Sequence, residues 1–515
     1  MTPPQIRPRV RVPHSFQPRR KGWGHLTPTA TLATLAATLL IFLTGCRTVG
    51  PNYTHPPATA TAPEFKEPGP STFKSSDGWK VAQPSDQTLR GKWWESFADP
   101  QLNALEDEID SANQTLKAAD ANFRAARAAI GLERANLAPT LSVGPSVGGV
   151  RDSANQPYFN STNANNGEGS FLLPLDLSYE VDLWGRIRRS VTAAKEQAQA
   201  SDADLETARL SLHAELAIDY FGLRADDARK KLLDETVQAY RDALQLTEDR
   251  YNGGAAPLSD VTQARTQLQT AEVQDSDVTI ERAQYEHAIA VLTGQAPANL
   301  ALAATPLTVS PPAIPVIPGA LPSQLLERRP DIAGDERRMA AANEQIGIAQ
   351  AAFYPTLDLS ASAGLNGTSL LNVFTWPARF FAVGPVLSQT LYDNGRRRAA
   401  SGIAAAQYDA TVANYRQEAL AAFQQVEDSL AALRVLETEA GQQHAATDSA
   451  QQSLDLFNVR YEGGVDTYLQ VVTAQTIALS NQLNDIEIQR RRLEASVLLI
   501  KALGGGWTTA QLPTL

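Results

Sequence analysis

One cysteine, Cys46, stands in 515 residues, so there is no disulfide framework to read. After that cysteine no stretch of 18 consecutive apolar residues occurs, which excludes a membrane-spanning helix in the rest of the chain. Acid is missing from the first 45 residues, which carry only the basic Arg7, Arg9, Arg11, Arg19, Arg20 and Lys21. No glycine loop beside a Lys-Ser or Lys-Thr pair is present to cradle a phosphate. His55, His213, His287 and His444 lie scattered without ligand spacing, as helix-surface residues would, so no metal or cofactor is expected. Nor does a catalytic constellation appear. What remains for function is shape, charge and gating.

The chain starts with a basic segment and a short apolar run, "TATLATLAATLLIFLTGC". That order describes a secretory signal peptide over residues 1–45. Leu43-Thr44-Gly45-Cys46 resembles the bacterial lipobox, which implies lipidation of Cys46. Acyl chains at about 0.8 kcal/mol per buried methylene give membrane attachment, and Arg47 after the cysteine favours the outer membrane by the same resemblance. Without residues 1–45 the chain keeps 39 basic and 56 acidic side chains, a net charge of −17 against −11 for the whole. A nucleic-acid partner, which wants a basic face, is excluded on that balance.

The rest is written twice. "RYNGG" from Arg250 and "RYEGG" from Arg460 lie 210 residues apart, as do Gly185-Arg186 and Gly395-Arg396. "APTL" from Ala138 and "YPTL" from Tyr354 lie 216 apart, with Ile130-Gly131 and Ile346-Gly347 in step. Self-similarity at a fixed offset means a duplicated structural unit. Between these landmarks the hydrophobic period is two. Leu173, Leu175, Leu177, Tyr179, Val181 and Leu183 alternate with Pro174, Asp176, Ser178, Glu180 and Asp182. Leu357 to Asn366 alternates likewise, and weaker runs start at Thr140 and Phe380, each broken by a proline. Segments of about ten such residues suit strands with one face in lipid, or a half-buried sheet of a soluble domain. The polar stretch from Arg151 to Gly169 reads as the loop joining the first pair.

Helix takes the remainder. Arg186 to Tyr251 and Arg396 to Tyr461 run almost without Pro or Gly, enough for rods of about 100 Å at 1.5 Å per residue. Tyr408, Val412, Tyr415, Ala419, Phe423, Val426, Leu430 and Leu433 mark a narrow apolar seam. Gly253-Gly254 and Gly463-Gly464 end the rods. Pro257, Ser259 and Asp260, or Asp466 and Thr467, restart a returning helix. Each half thus offers two strands and a long hairpin, divided as residues 46–92 (anchored extended segment), 93–305 (first repeat), 306–322 (proline-rich linker), 323–506 (second repeat) and 507–515 (tail). Four strands cannot close a barrel, which takes about eight, and open edges are not tolerated in lipid. Several copies must share one wall, and three would give twelve strands.

"KWWESFADPQLNALEDEIDSANQTLKAA" from Lys92, "ERRPDIAGDERRMAAANEQIGIAQAAFYPTL" from Glu327, "LYDNGRRRA" from Leu391, "GCRTVGPNYTHPPA" and the two RYxGG tips resemble the outer-membrane efflux protein family, TolC-like ducts of the NodT lipoprotein branch. The resemblance implies a mainly α fold with a transmembrane β part, a homotrimer with a 12-stranded β-barrel continuous with a periplasmic α-helical barrel, and no enzyme activity. Its implied partners are a periplasmic adaptor, a proton-driven inner-membrane pump and outer-membrane lipid. Its implied role is small-molecule efflux; a duct for protein or peptide secretion shares the fold, and a non-transporting periplasmic scaffold is the other alternative. The pore constriction maps onto Asp260, Leu469, Gln470 and Thr473. Many relatives carry aspartates where Gln470 and Thr473 stand. Asp260 is either a ring carboxylate or a helix-start charge worth about 0.3–1 kcal/mol. Arg250, Tyr251, Gly253, Gly254, Arg460, Tyr461, Gly463, Gly464 and Asp466 form the tips, which are expected to hold closed or to meet the adaptor.

Overall fold

A computed structural model describes residues 48–57, 65–67, 91–151, 153, 167–307, 328–506, 511–513 and 515. The signal segment, Cys46 and most of the linker lie outside the described residues. The first half runs α1 (Pro100–Ala112), α2 (Gln114–Ala135), β1 (Thr140–Val143), β2 (Ser146–Val150), β3 (Glu168–Val181), α3 (Arg186–Asn252) and α4 (Leu258–Leu292). The second runs α5 (Pro330–Ala351), β4 (Thr356–Gly367), β5 (Arg379–Ser388), α6 (Arg396–Glu462) and α7 (Tyr468–Ala502). Among the described residues no helix is long and apolar enough to cross a membrane.

The sheet is antiparallel throughout, in the order β1–β2, β3, β4, β5. β1 and β2 are one strand interrupted at Gly144-Pro145, because Val143 faces Leu175 and Ser146 faces Leu172 with no slip in register. Proline lacks the amide a ladder needs, and an edge strand tolerates that loss. In β5, the other edge, Pro385 is accommodated without a break. Register then aligns chemistry across all four strands. One row reads Leu141, Leu177, Ala361, Val383 and another Val143, Leu175, Ala363, Phe381. The intervening row reads Ser142, Asp176, Ser362, Ala382. Since side chains alternate between faces, one face is apolar except for Arg379 at its end, and the other is largely polar. The apolar face is bare: Leu141 is 65 %, Phe381 83 % and Val383 77 % exposed.

Glu180 and Asp182, on the polar side of the alternation, are both tethered. Glu180 accepts two hydrogen bonds from Arg186, at 3.0 and 2.6 Å. Asp182 accepts from the backbone N–H groups of Ile187 and Arg188, at 3.2 and 2.9 Å. These are the orphan donors at the start of α3, so the strand's last carboxylates fix the strand-to-helix junction.

α3 and α6 have 67 residues each, about 100 Å at the helical rise. α4 folds back along α3, and α7 along α6. Of the predicted seam on α6, Tyr415, Ala419, Val426 and Leu433 are buried and Tyr408, Val412, Phe423 and Leu430 partly so; Tyr415, with Ala422 beside the seam, meets Ile332 and Met339 of α5, while Val426 and Leu433 join the main core. That core gathers Trp93, Trp94, Leu102, Tyr220, Ile289 and Ile500 midway along the hairpins. Asp99 accepts from the amides of Gln101 and Leu102 to start α1, and Arg224 and Tyr220 of α3 grip its other oxygen. α5 packs on both α3 and α6, whereas its duplicate α2 packs on α3 alone among the long helices.

Candidate functional site

The two tips have the same backbone. Gly254 stands at φ +75° and Gly464 at φ +71°. Ala255 N–H donates to the Arg250 carbonyl at 2.7 Å and Val465 N–H to the Arg460 carbonyl at 2.9 Å. Gly254 and Gly464 donate to the carbonyls of Tyr251 and Tyr461. This paired return of amides to the last carbonyls, with a left-handed residue between them, is the Schellman stop. The second glycine of each pair therefore carries the turn. A methyl group on the first would meet only the carbonyls four and three residues back, at 3.4 and 3.7 Å, so geometry does not require it. Neither returning helix has a side-chain cap at Pro257 or Thr467. α7 does restart directly after Asp466 and Thr467, and the Asp466 carboxylate finds its partner elsewhere in the tip.

That partner is Arg460, whose Nε and a terminal nitrogen donate to the Asp466 carboxylate at 2.5 and 3.2 Å. Arg460 also holds that carboxyl below its usual range. At the matching place in the first tip stands Ala256. Arg250, with no acid in its own turn, crosses instead to the second hairpin. It donates to the Tyr461 carbonyl at 3.0 Å and lies 4.5 Å from the Tyr461 ring centre. Tyr461 packs against Tyr468 with ring centres 5.2 Å apart, over Ala264 and Val471. Burial, then the neighbouring Tyr461, pushes the Tyr468 hydroxyl up to about 12. Tyr251, the duplicate of buried Tyr461, is 43 % exposed. One lost acid thus turns a local pair into a clasp between hairpins.

The expected constriction residues fall on both hairpins. Gln470 and Thr473 line a groove of about 400 Å³ between α6 and α7, floored by Ala446, Ala450 and Phe457. Leu469 is 54 % exposed one position earlier, and the Thr473 hydroxyl donates back to its carbonyl at 2.8 Å. Asp260 sits in the first turn of α4, half-buried, and does not line that groove. Its charge adds a minor contribution, after burial and Tyr461, to the raised Tyr468 hydroxyl.

One group runs against the sequence reading. His213, taken as a helix-surface residue, is buried. Its Nδ1 is 2.6 Å from Glu106, and its ring stacks on Trp94 at 4.3 Å. Burial pushes the Glu106 carboxyl up to about 9 and the imidazole down to about 4. A buried pair shifted in these directions is neutral, with the carboxyl donating to the imidazole nitrogen. No group of described residues has the makings of a metal site.

Comparison with known proteins follows the same outline. The family model for outer membrane efflux proteins matches residues 105–295 and 321–505. The chain is 32 % identical over 481 residues to the probable efflux pump outer membrane protein TtgC of Pseudomonas putida, covering 93 % of this chain and 96 % of that one. It is 31 % identical over 452 residues to the outer membrane protein OprJ of Pseudomonas aeruginosa, covering 87 % and 93 %. The solved outer-membrane channel OprN superposes with a TM-score of 0.78 at 27 % identity, over 90 % of this chain and all of that one. With the duplicated strand-and-hairpin unit on the page and the family model spanning both copies of it, the chain belongs to the outer membrane efflux protein family.

Proposed function

We propose that this protein is the outer-membrane exit channel of a tripartite efflux system, passing small molecules from the periplasm or an inner-membrane pump to the exterior. The observation that carries the reading is the sheet: apolar on one face but for Arg379 at its end, open at both edges, and joined directly to paired helices of about 100 Å. In this reading the apolar face meets lipid and the row of Ser142, Asp176 and Ser362 lines a lumen. Three copies close a twelve-stranded barrel, and their hairpins continue it as a tube through the periplasm. Lipid on Cys46 anchors each copy to the outer membrane. The tips meet a periplasmic adaptor and, through it, a proton-driven pump. Asp260, Leu469, Gln470 and Thr473 narrow the tube, while Arg250, Tyr461, Arg460 and Asp466 hold its end. Relatives named for antibiotic and toluene efflux support substrates of that class.

Expression in a Gram-negative strain lacking its own efflux channel, with a matching pump and adaptor, should restore antibiotic resistance. A charge near the bilayer midplane costs about 2–4 kcal/mol. Leu177→Arg should therefore abolish both resistance and heat-resistant trimers, and Ser178→Arg neither. Equal tolerance of the two would overturn the assignment of faces.

A further inference from the structure

The turn between β4 and β5 holds a cation that nothing else in the fold uses. β4 follows α5 and β5 leads into α6, so Gly367 and Arg379 end their strands on the side away from the helices. There the last row of the apolar face reads Leu173, Leu365, Arg379. Among the described strand residues Arg379 is the only charge on that face, and it is exposed. Its guanidinium lies over the Trp376 ring, 3.4 Å from the ring centre. None of the described residues accepts a hydrogen bond from that guanidinium or pairs with its charge.

The turn itself is built, not slack. Asn372 Oδ1 accepts from the Ser369 N–H at 3.0 Å, and its Nδ2 donates to the Thr368 hydroxyl at 3.1 Å. The Thr375 hydroxyl donates to the Asn372 carbonyl at 2.6 Å. Gly367 lies so close that an added Cβ would stand 2.6 Å from Asn372 Oδ1. This ordered turn buries Val373 but presents Leu371, 93 % exposed, and Trp376, 75 % exposed, with Leu370 and Phe374 also bare. Apolar side chains held in place at a surface mark a contact.

The height of Arg379 decides what it contacts. From Leu387 at the helix end to Arg379 is eight residues of β5, or about 27 Å along the strand. At a tilt of about 40° that is roughly 21 Å of height, against an apolar band about 25 Å tall. Leu391 and Tyr392, both exposed, stand just past the lower end, and Trp376 stands at the upper. Tryptophan and tyrosine favour these two levels, where hydrocarbon gives way to headgroups. A guanidinium stacked on an aromatic face keeps its N–H edge free, and that planar fork matches phosphate with two parallel hydrogen bonds. We infer that Arg379, backed by Trp376, binds the phosphate of an outer-leaflet lipid whose acyl chains run down the sheet beside Phe381 and Val383. The ligand class is a phosphorylated glycolipid, held at one fixed point on each copy.

This rests on the apolar face meeting lipid, as proposed above, and the test separates the two. Full-length protein, extracted as heat-resistant trimers, is titrated with bisphosphorylated lipid A and with lipid A stripped of phosphate, and bound lipid is counted by native mass spectrometry. The phosphorylated lipid should bind the unsubstituted protein more tightly than the stripped one. Arg379→Gln should weaken it about tenfold or more, the worth of a charged hydrogen bond. Arg379→Lys, a point charge without the fork, should fall between. Trp376→Leu should weaken it about threefold through the lost stacking. It leaves every charge in place and carries the comparison should Arg379→Gln not assemble. The stripped lipid should bind all four proteins alike, and millimolar inorganic phosphate should not compete. Equal binding of the phosphorylated lipid by the variants, or equal binding of the two lipids, overturns the headgroup site and leaves the channel reading standing. Competition by inorganic phosphate overturns it too, in favour of a site for free anions. If neither lipid binds, the site falls; if Leu177→Arg also assembles as well as Ser178→Arg, the assignment of faces falls with it.

Discussion

Removing the Arg250 guanidinium should loosen the tip by an amount the structure allows to be worked out. The side chain makes one hydrogen bond to a carbonyl, at 3.0 Å, and one contact with an aromatic face, at 4.5 Å. A charged hydrogen bond contributes about 1.5–3 kcal/mol and an exposed cation–π contact about 0.5–1. Arg250 is half-buried, so solvent screening brings the sum to about 2 kcal/mol. At 1.4 kcal/mol per tenfold change, Arg250→Ala should shift a closed–open equilibrium about 30-fold toward open in each copy. Arg250→Lys keeps the charge without the planar fork and should fall between. Purified trimers in planar bilayers read this as open fraction and conductance. If Arg250→Ala leaves both unchanged while thermal stability drops, the clasp only braces the fold and the gate lies elsewhere.

Three further outcomes follow from single positions. Gly464→Ala places a Cβ in the left-handed region, at about 1–2 kcal/mol, and should speed proteolysis at the second tip roughly tenfold, while Gly463→Ala should not. Glu106 has a folded-state value of about 9 against an ordinary 4.5, so stability contributed by its bound proton is lost as pH rises toward 9. His213, lowered to about 4 from 6.5, costs stability as pH falls below 6.5. Glu106→Gln should flatten the fall in melting temperature between pH 7 and about 9 and leave the acid side; an unchanged alkaline slope would exclude the neutral pair. Asp260→Asn should reduce cation preference in bilayers. Unaltered selectivity with a loss of about 0.3–1 kcal/mol in stability would instead make it a helix-start charge.

The long elements were legible in the sequence because their signals are local. Period two in Leu173 to Leu183 gave a strand, the unbroken run after Arg186 gave a rod, and paired glycines gave its end. The contacts that give the site its character were not. Arg250 and Arg460 sit in the same motif, and nothing local tells which one finds an acid. The difference is Ala256 against Asp466, and it has meaning only once both turns are superposed. His213 looked like a surface residue because its partner Glu106 lies 107 positions away, and periodicity cannot report a polar group satisfied by another helix. Glu180 pairs across the sheet with Asp358, but its grip on the Arg186 side chain, and the use of Asp182 as acceptor for the first amides of α3, required the turn at Gly185.

The uninterrupted rods have a mechanical consequence. A helix of 67 residues is a stiff lever of about 100 Å, and a tilt of only about 2° displaces its far end by ~3.5 Å. An angle that small is absorbed by slight bending of side-chain contacts along the shaft, with no hinge and no broken backbone hydrogen bond. A change of aperture at the tips is then an elastic property of the whole length, and stiffness added anywhere along the shaft would be felt at the end.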